Sequence, residues 1–122
     1  MKLNMGAGLS QLAGWMSVDI DPTLGPDIVA SADDLSMIAD DSVEEIYASH
    51  LLEHFDWEGG MRALLEWKRV LVPGGICTVI VPDIVQVYYL WKHGMTWGPY
   101  DLRIDEEYVQ ATVFGAHIMS HK

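Results

Sequence analysis

Short apolar runs alternate along the chain with helical patterns, as expected of a mostly parallel sheet flanked by helices. Five of these runs predict strands. Lys2 to Met5 ends in glycines, Trp15 to Ile20 ends in acids, and Asp27 to Ala30 is entered through Gly25-Pro26. Val43 to Ala48 begins with a polar approach through Ser42 and Glu44-Glu45. Ile76 to Val81 is almost continuously apolar and predicts a strand buried on both faces.

Between the last two strands, Asp56 is placed to cap a helix from Trp57 to Leu71, with Glu58 near its positive end. Its inward face is predicted to carry Met61, Leu64, Leu65, the stem of Lys68, Leu71 and Val72. Pro73-Gly74-Gly75 then stops the helix and turns into the fifth strand. A further helix is predicted from Pro82 or Asp83 to Lys92, closed by Gly94, followed by a loop from Met95 to Pro99. A last helical pattern starts near Asp105, with Ile104, Tyr108, Val109, Thr112 and Val113 inward. Only six residues separate Gly8 from Trp15, too few for a crossover helix, so that connection is expected to be a loop or a single turn. No strand pattern follows the fifth, which leaves one sheet edge uncovered and open to another chain. The expected organisation is one α/β domain over 1–122, with a Rossmann-like core at 2–83 and a helical extension at 84–122.

Composition narrows the functional classes. Half of the 122 residues are hydrophobic and 20% are charged, which excludes a disordered chain. The net charge of −11 repels phosphate backbones, and no cluster of Lys or Arg offsets it, so a nucleic-acid partner is not expected. The single cysteine, Cys77, cannot form an internal disulfide, in keeping with a reducing cytoplasm. No apolar run approaches the length of a membrane span and the N-terminus has no signal-peptide core, so a soluble cytoplasmic protein is expected.

The candidate chemistry sits at strand ends. The Gly6-Ala7-Gly8 turn follows the first strand directly and would let a ligand approach the main chain; an ordinary tight turn explains it equally well. Gln11 stands where a dinucleotide fingerprint needs its third glycine, so a pyrophosphate cradle is not expected. Asp19, at the end of the second strand, can accept both hydroxyls of a ribose, or can be a solvated turn acid. Ala30 to Leu35 ends the third strand and is expected to open a short helix; its groups can read an adenine, or Asp33 or Asp34 can simply cap that helix. Ser49 and His50 leave the fourth strand beside the topological switch point, which makes His50 a candidate base facing a substrate. A histidine bonding its own loop is the plainer alternative, and Glu53 and His54 are expected to orient that loop. No third ligand accompanies His50 and His54, so no metal site is predicted.

These residues resemble a family. Leu3 to Gly8, Gly14-Trp15 through Asp21, Pro26 to Ala30, Tyr47 to Phe55 and Arg69 to Gly75 together look like the class I S-adenosylmethionine-dependent methyltransferases. The likeness is to the small bacterial type 11 branch and covers residues 2 to about 83, roughly two thirds of the chain. It implies S-adenosylmethionine as cofactor and S-adenosylhomocysteine as product. It places Gly6, Ala7 and Gly8 along the methionine portion, and Asp19 with Ile20 at the ribose. Ser31, Ala32 and Asp33 would lie by the adenine, with Ser49, His50 and Leu51 bordering the transferred methyl. Ala7 replaces a cysteine common in relatives. Ser31 stands where many carry an aspartate for the adenine amino group. The family usually has two further strands, so the resemblance also implies a sheet lacking its final strands.

The expected activity is methyl transfer to a small-molecule acceptor, with His50 as base and a homo-oligomer formed through the incomplete sheet or the C-terminal helices. Two alternatives belong to other classes: an inactive methyltransferase-like module that binds cofactor or a protein partner, and a nucleotide-dependent oxidoreductase. The missing third glycine and first helix argue against the latter.

Overall fold

The computed structural model describes residues 1–94, 96–97 and 102–103. Strands β1 (Lys2–Met5), β2 (Met16–Asp19), β3 (Ile28–Val29), β4 (Val43–Ser49) and β5 (Leu71–Ile80) form one sheet in the order β3-β2-β1-β4-β5. All of its pairings are parallel. The chain winds outward from β1 to β3, then returns to lay β4 against the other side of β1, so the switch point lies between the carboxyl ends of β1 and β4. Residues 6–15, between β1 and β2, form turns without a helix, as the six-residue spacing requires.

The sheet's alternation explains its two faces. Leu3 and Met5 point into the core with Val18, Ile46 and Ala48, while Asn4 and Ser17 are buried on the opposite face. Each of those polar residues is satisfied: Asn4 Nδ2 donates to the Ser10 carbonyl, and Ser17 donates its hydroxyl and amide to Asp27. These bonds hold the Asp27 carboxyl below its ordinary pKa, the backbone bond from Ser17 contributing most.

Helix α1 (Trp57–Val70) begins where expected, with Asp56 accepting from the Gly59 amide at 2.7 Å. Its inward face differs from the predicted one. Gly59, Ala63, Trp67 and Val70 are buried, whereas Met61, Leu64 and Leu65 are exposed. Two of the four inward residues are small, and Trp67 supplies most of the buried volume of this face.

The short helix expected to open at Ala30 to Leu35 is corrected: the 30–42 connection contains no helix, and side chains of α1 take the place of one. Trp67 Nε1 donates to the Ala32 carbonyl at 2.9 Å, and Arg69 donates to the carbonyls of Leu35 and Ile38 at the same distance. Glu66 accepts from the Leu35 amide and from Arg69. In return, the amides of Asp41 and Ser42 donate to the carbonyls of Arg69 and Val70 and close the end of α1.

The expected helix-to-strand turn is corrected. Leu71 is already extended and pairs with Val43, and the next pairing is Ile76 with Glu45. Pro73-Gly74-Gly75 therefore lies in a bulge inside β5. Gly74 has φ 83°, and a Cβ on Gly75 would meet the Val72 carbonyl at 2.9 Å. The expectation that β5 is buried on both faces also fails. As an edge strand it leaves Ile76, Val79 and Ile80 exposed.

Helix α2 (Ile84–Lys92) is capped by Asp83, and Gly94 follows in the left-handed region. Part of the expected Met95–Pro99 loop is instead strand. β6 (Thr96–Trp97) pairs antiparallel with β7 (Leu102–Arg103), so the extension is not wholly helical. The helical pattern from Asp105 lies outside the described residues. Among the described residues, no helix is long and apolar enough to cross a membrane.

Trp67→Ala is expected to destabilise the fold by about 3–5 kcal/mol in urea unfolding, because it removes a fully buried indole and orphans the Ala32 carbonyl. Arg69 holds the Glu66 carboxyl down from an ordinary 4.5 to about 2. Its folded pKa lies below its unfolded one, so this stabilisation is present above pH 4.5 and is lost as pH falls toward 2. Glu66→Gln should remove that part of the acid dependence in the same unfolding experiment.

Candidate functional site

The crevice at the switch point is bordered by the turn after β1 and the loop after β4. Gly6 and Gly8 both adopt left-handed backbone, at φ 60° and 54°, which a side chain would strain. Their surroundings differ. A Cβ on Gly6 would stand 2.8 Å from Leu51 Cδ1, whereas one on Gly8 would meet nothing within 4 Å. Gly6 is thus a packing glycine beneath Leu51, and Gly8 leaves open space above the main chain. Between them, buried Ala7 donates its amide to the Val18 carbonyl and ties the turn to β2.

Asp19 completes this side. Its Oδ2 accepts from the Gly8 amide at 2.8 Å and its Oδ1 from the Asp21 amide at 3.0 Å. Each carboxylate oxygen retains acceptor capacity for a further donor such as a ribose hydroxyl. The same residue's carbonyl accepts from the Ala30 amide, so the ends of β1, β2 and β3 are joined through it. Ile20 beside it is exposed.

The residues after β3 are committed differently. The Ser31 hydroxyl donates to Asp33, and Arg62 on α1 reaches the same carboxylate at 3.1 and 3.2 Å. The Ser31 bond first, and Arg62 with it, lower the Asp33 pKa against the opposing effect of burial. Ala32 is buried, with its carbonyl turned inward to Trp67.

Across the crevice, Ser49 pairs with Ile80 at the end of β4, and His50 turns the chain sharply with φ 53°. A non-glycine residue there is strained by about 1–3 kcal/mol. The His50 amide donates to the Ile80 carbonyl, which fixes the backbone while the imidazole remains exposed. Its Nδ1 lies 3.4 Å from Oε1 of Glu53, whose side chain is 10% exposed. The other Glu53 oxygen is buried without a hydrogen-bond partner among the described residues.

The structure therefore brings Gly6, Gly8, Asp19 and Leu51 together at one crevice, with Ser49 and His50 on its far wall. Ser31, Ala32 and Asp33 sit beyond β3 and face α1. Arg62 was not among the expected site residues, whereas Glu53, expected to orient the loop after β4, lies beside His50. Among the described residues, no group of three or more His, Cys, Asp or Glu is placed to hold a metal ion.

A family model described as a methyltransferase domain matches residues 3–79, which contain this whole arrangement. The chain belongs to that methyltransferase family. It is a class I, S-adenosylmethionine-dependent family, and the five-stranded parallel sheet is its Rossmann-like fold. No curated protein matches the chain. The match begins at the first strand of this methyltransferase domain and ends near the close of β5, so it includes both walls of the crevice. The open space over Gly8 and the braced Asp19 carboxylate suit a nucleoside-bearing cofactor.

Gly6→Ala is expected to destabilise the domain more than Gly8→Ala, which should cost about 1 kcal/mol for backbone strain alone. Adding Leu51→Ala should cancel part of the Gly6→Ala cost but none of the Gly8→Ala cost, as a double-mutant cycle by thermal or urea unfolding would show.

Proposed function

We propose that this chain transfers a methyl group from S-adenosylmethionine to a small-molecule acceptor in the cytoplasm. The observation that carries this reading is the Gly8–Asp19 pairing at the switch point of a methyltransferase-family sheet. Gly6, Ala7 and Gly8 hold the methionine portion, Asp19 and Ile20 meet the ribose, and Ser31, Ala32 and Asp33 border the adenine. Ser49 and Leu51 line the side from which the acceptor enters. The cofactor supplies a sulfonium methyl that is already activated, so the protein's task is positioning and exclusion of water.

Within that arrangement His50 is the base. Glu53 approaches its Nδ1, which leaves Nε2 to take the proton from the acceptor's nucleophilic atom. The strained backbone at His50 supports this role, since strain persists where the surrounding structure fixes a residue for use. The net charge of −11 favours a small acceptor over a nucleic acid.

One observation favours the second reading, a module that binds weakly or without turnover. The Ser31 hydroxyl already donates to Asp33, and the Asp33 carboxylate also takes Arg62, so both of the groups expected at the adenine have partners within the chain.

Calorimetric titration with S-adenosylhomocysteine tests both. Micromolar or tighter binding is expected, weakened by about tenfold or more in Asp19→Asn, which loses a charged acceptor. Absence of binding by the folded protein would sink the methyltransferase reading and leave the non-catalytic one. With an acceptor found by screening, His50→Ala should lower turnover by about 10²–10⁴-fold while leaving S-adenosylhomocysteine affinity unchanged. Unchanged turnover would remove His50 from the mechanism.

A further inference from the structure

The turn after β4 encloses a carboxylate that the turn itself does not need. Glu53 lies in a single turn of 3₁₀ helix (Leu52–His54), and its side chain is 10% exposed. That turn is closed by backbone bonds, the amides of His54 and Phe55 donating to the carbonyls of Leu51 and Leu52. Glu53 takes neither amide. Its Oε2 is buried without a hydrogen-bond partner among the described residues, and its Oε1 faces the His50 imidazole, 3.4 Å from Nδ1. Holding a carboxylate out of water with an acceptor unused costs stability. A pair of exposed charges three residues apart would be an ordinary surface contact. Here one partner is nearly enclosed.

Both residues are also fixed in place. The His50 amide is bound to the Ile80 carbonyl, and Leu51, Leu52 and Phe55 pack against the core on either side of Glu53. We infer that Glu53 is a positioning residue, whose carboxylate holds the His50 imidazole with its proton on Nδ1 and leaves Nε2 bare. The inference rests on the reading of this chain as a methyltransferase with His50 as its base. An ionised carboxylate can only accept, so the nitrogen that it faces must be the donor. A separation of 3.4 Å is long for a hydrogen bond, but catalytic contacts commonly shorten once substrate is bound. In the transfer, the acceptor's proton passes to Nε2 and the electron pair of its broken N–H or O–H bond attacks the methyl carbon. The carbon–sulfur pair stays on sulfur. The imidazole is then a cation beside a carboxylate kept out of water, where attraction between the two is strong.

The tautomer of His50 tests this before any acceptor is known. In nitrogen-correlated NMR of the intact chain at about pH 8, where an ordinary imidazole is neutral, His50 should carry its proton on Nδ1. Loss of its signals in His50→Ala identifies them among the five histidines. In Glu53→Gln the two tautomers should mix, because a neutral amide offers a donor as readily as an acceptor. An unmodified chain with His50 protonated on Nε2 would overturn the inference, whether or not the variant folds. A Glu53→Gln spectrum with the Nδ1 form undiminished would overturn it equally. With an acceptor found by screening, Glu53→Gln should lower kcat by roughly tenfold to a hundredfold, a fraction of what the base itself contributes, with KM unchanged. Unaltered kcat in a protein that His50→Ala impairs would again remove Glu53 from the role. Failure of S-adenosylhomocysteine to bind, with the Nδ1 form present and lost in Glu53→Gln, would instead sink the methyltransferase reading and leave the pairing standing.

Discussion

The long connection between β3 and β4 must cross the molecule without a helix of its own, and its backbone groups must still be satisfied. Trp67, Glu66 and Arg69 meet that requirement from α1, bonding to Ala32, Leu35 and Ile38 where a regular element would otherwise bond to itself. Buried Leu35 and Ile38 are thereby carried onto the core formed by β1 and β4. With α1 anchored, the loop that precedes it is fixed at both ends, and that loop contains His50 and Leu51. The functional crevice depends on this set of side-chain bonds at one remove.

Asp19 serves a second kind of economy. A carboxylate that only waited for a ligand would be a mobile surface group, whereas this one is already fixed by the amides of Gly8 and Asp21. The bonds that orient it also hold the glycine turn in its left-handed form. Loop order and the carboxylate's remaining acceptor capacity therefore share one group, and that capacity is pre-organised. Leu51 plays the corresponding part from the opposite wall, packing over Gly6 so that the two loops are fitted to each other.

Much of this was legible in the sequence, for local reasons. Strand ends marked by Gly6, Asp19 and His50, the Asp56 cap, and the short first crossover all depend on residues close together in the chain. What escaped depends on distance or size. Trp67 and Ala63 lie on the inward face of α1, Trp67 bonded to the distant Ala32 carbonyl, whereas hydrophobicity alone favours Met61, Leu64 and Leu65. An apolar run such as Ile76 to Ile80 has the same pattern at an edge as at the centre of a sheet, so its exposure was hidden. The two-residue strands β6 and β7 are too short to show a period. Arg62 reaches Asp33 across 29 positions of sequence, and nothing local announces that pair.

The bulge at Pro73-Gly74-Gly75 divides β5 into two lengths with separate attachments. Leu71 belongs mechanically to the end of α1 and the start of β4, while Ile76 to Ile80 belongs to the wall of the crevice through its pairing with Glu45 to Ser49. Between the two attachments, several residues of β5 face a single residue of β4, so slack in one length need not be passed to the other. The bulge works as an expansion joint. A helix longer or shorter by a residue could be taken up there, and the register that places Ser49 opposite Ile80 would be kept. The part of the sheet that borders the crevice is in this way insulated from variation in the part that merely supports it.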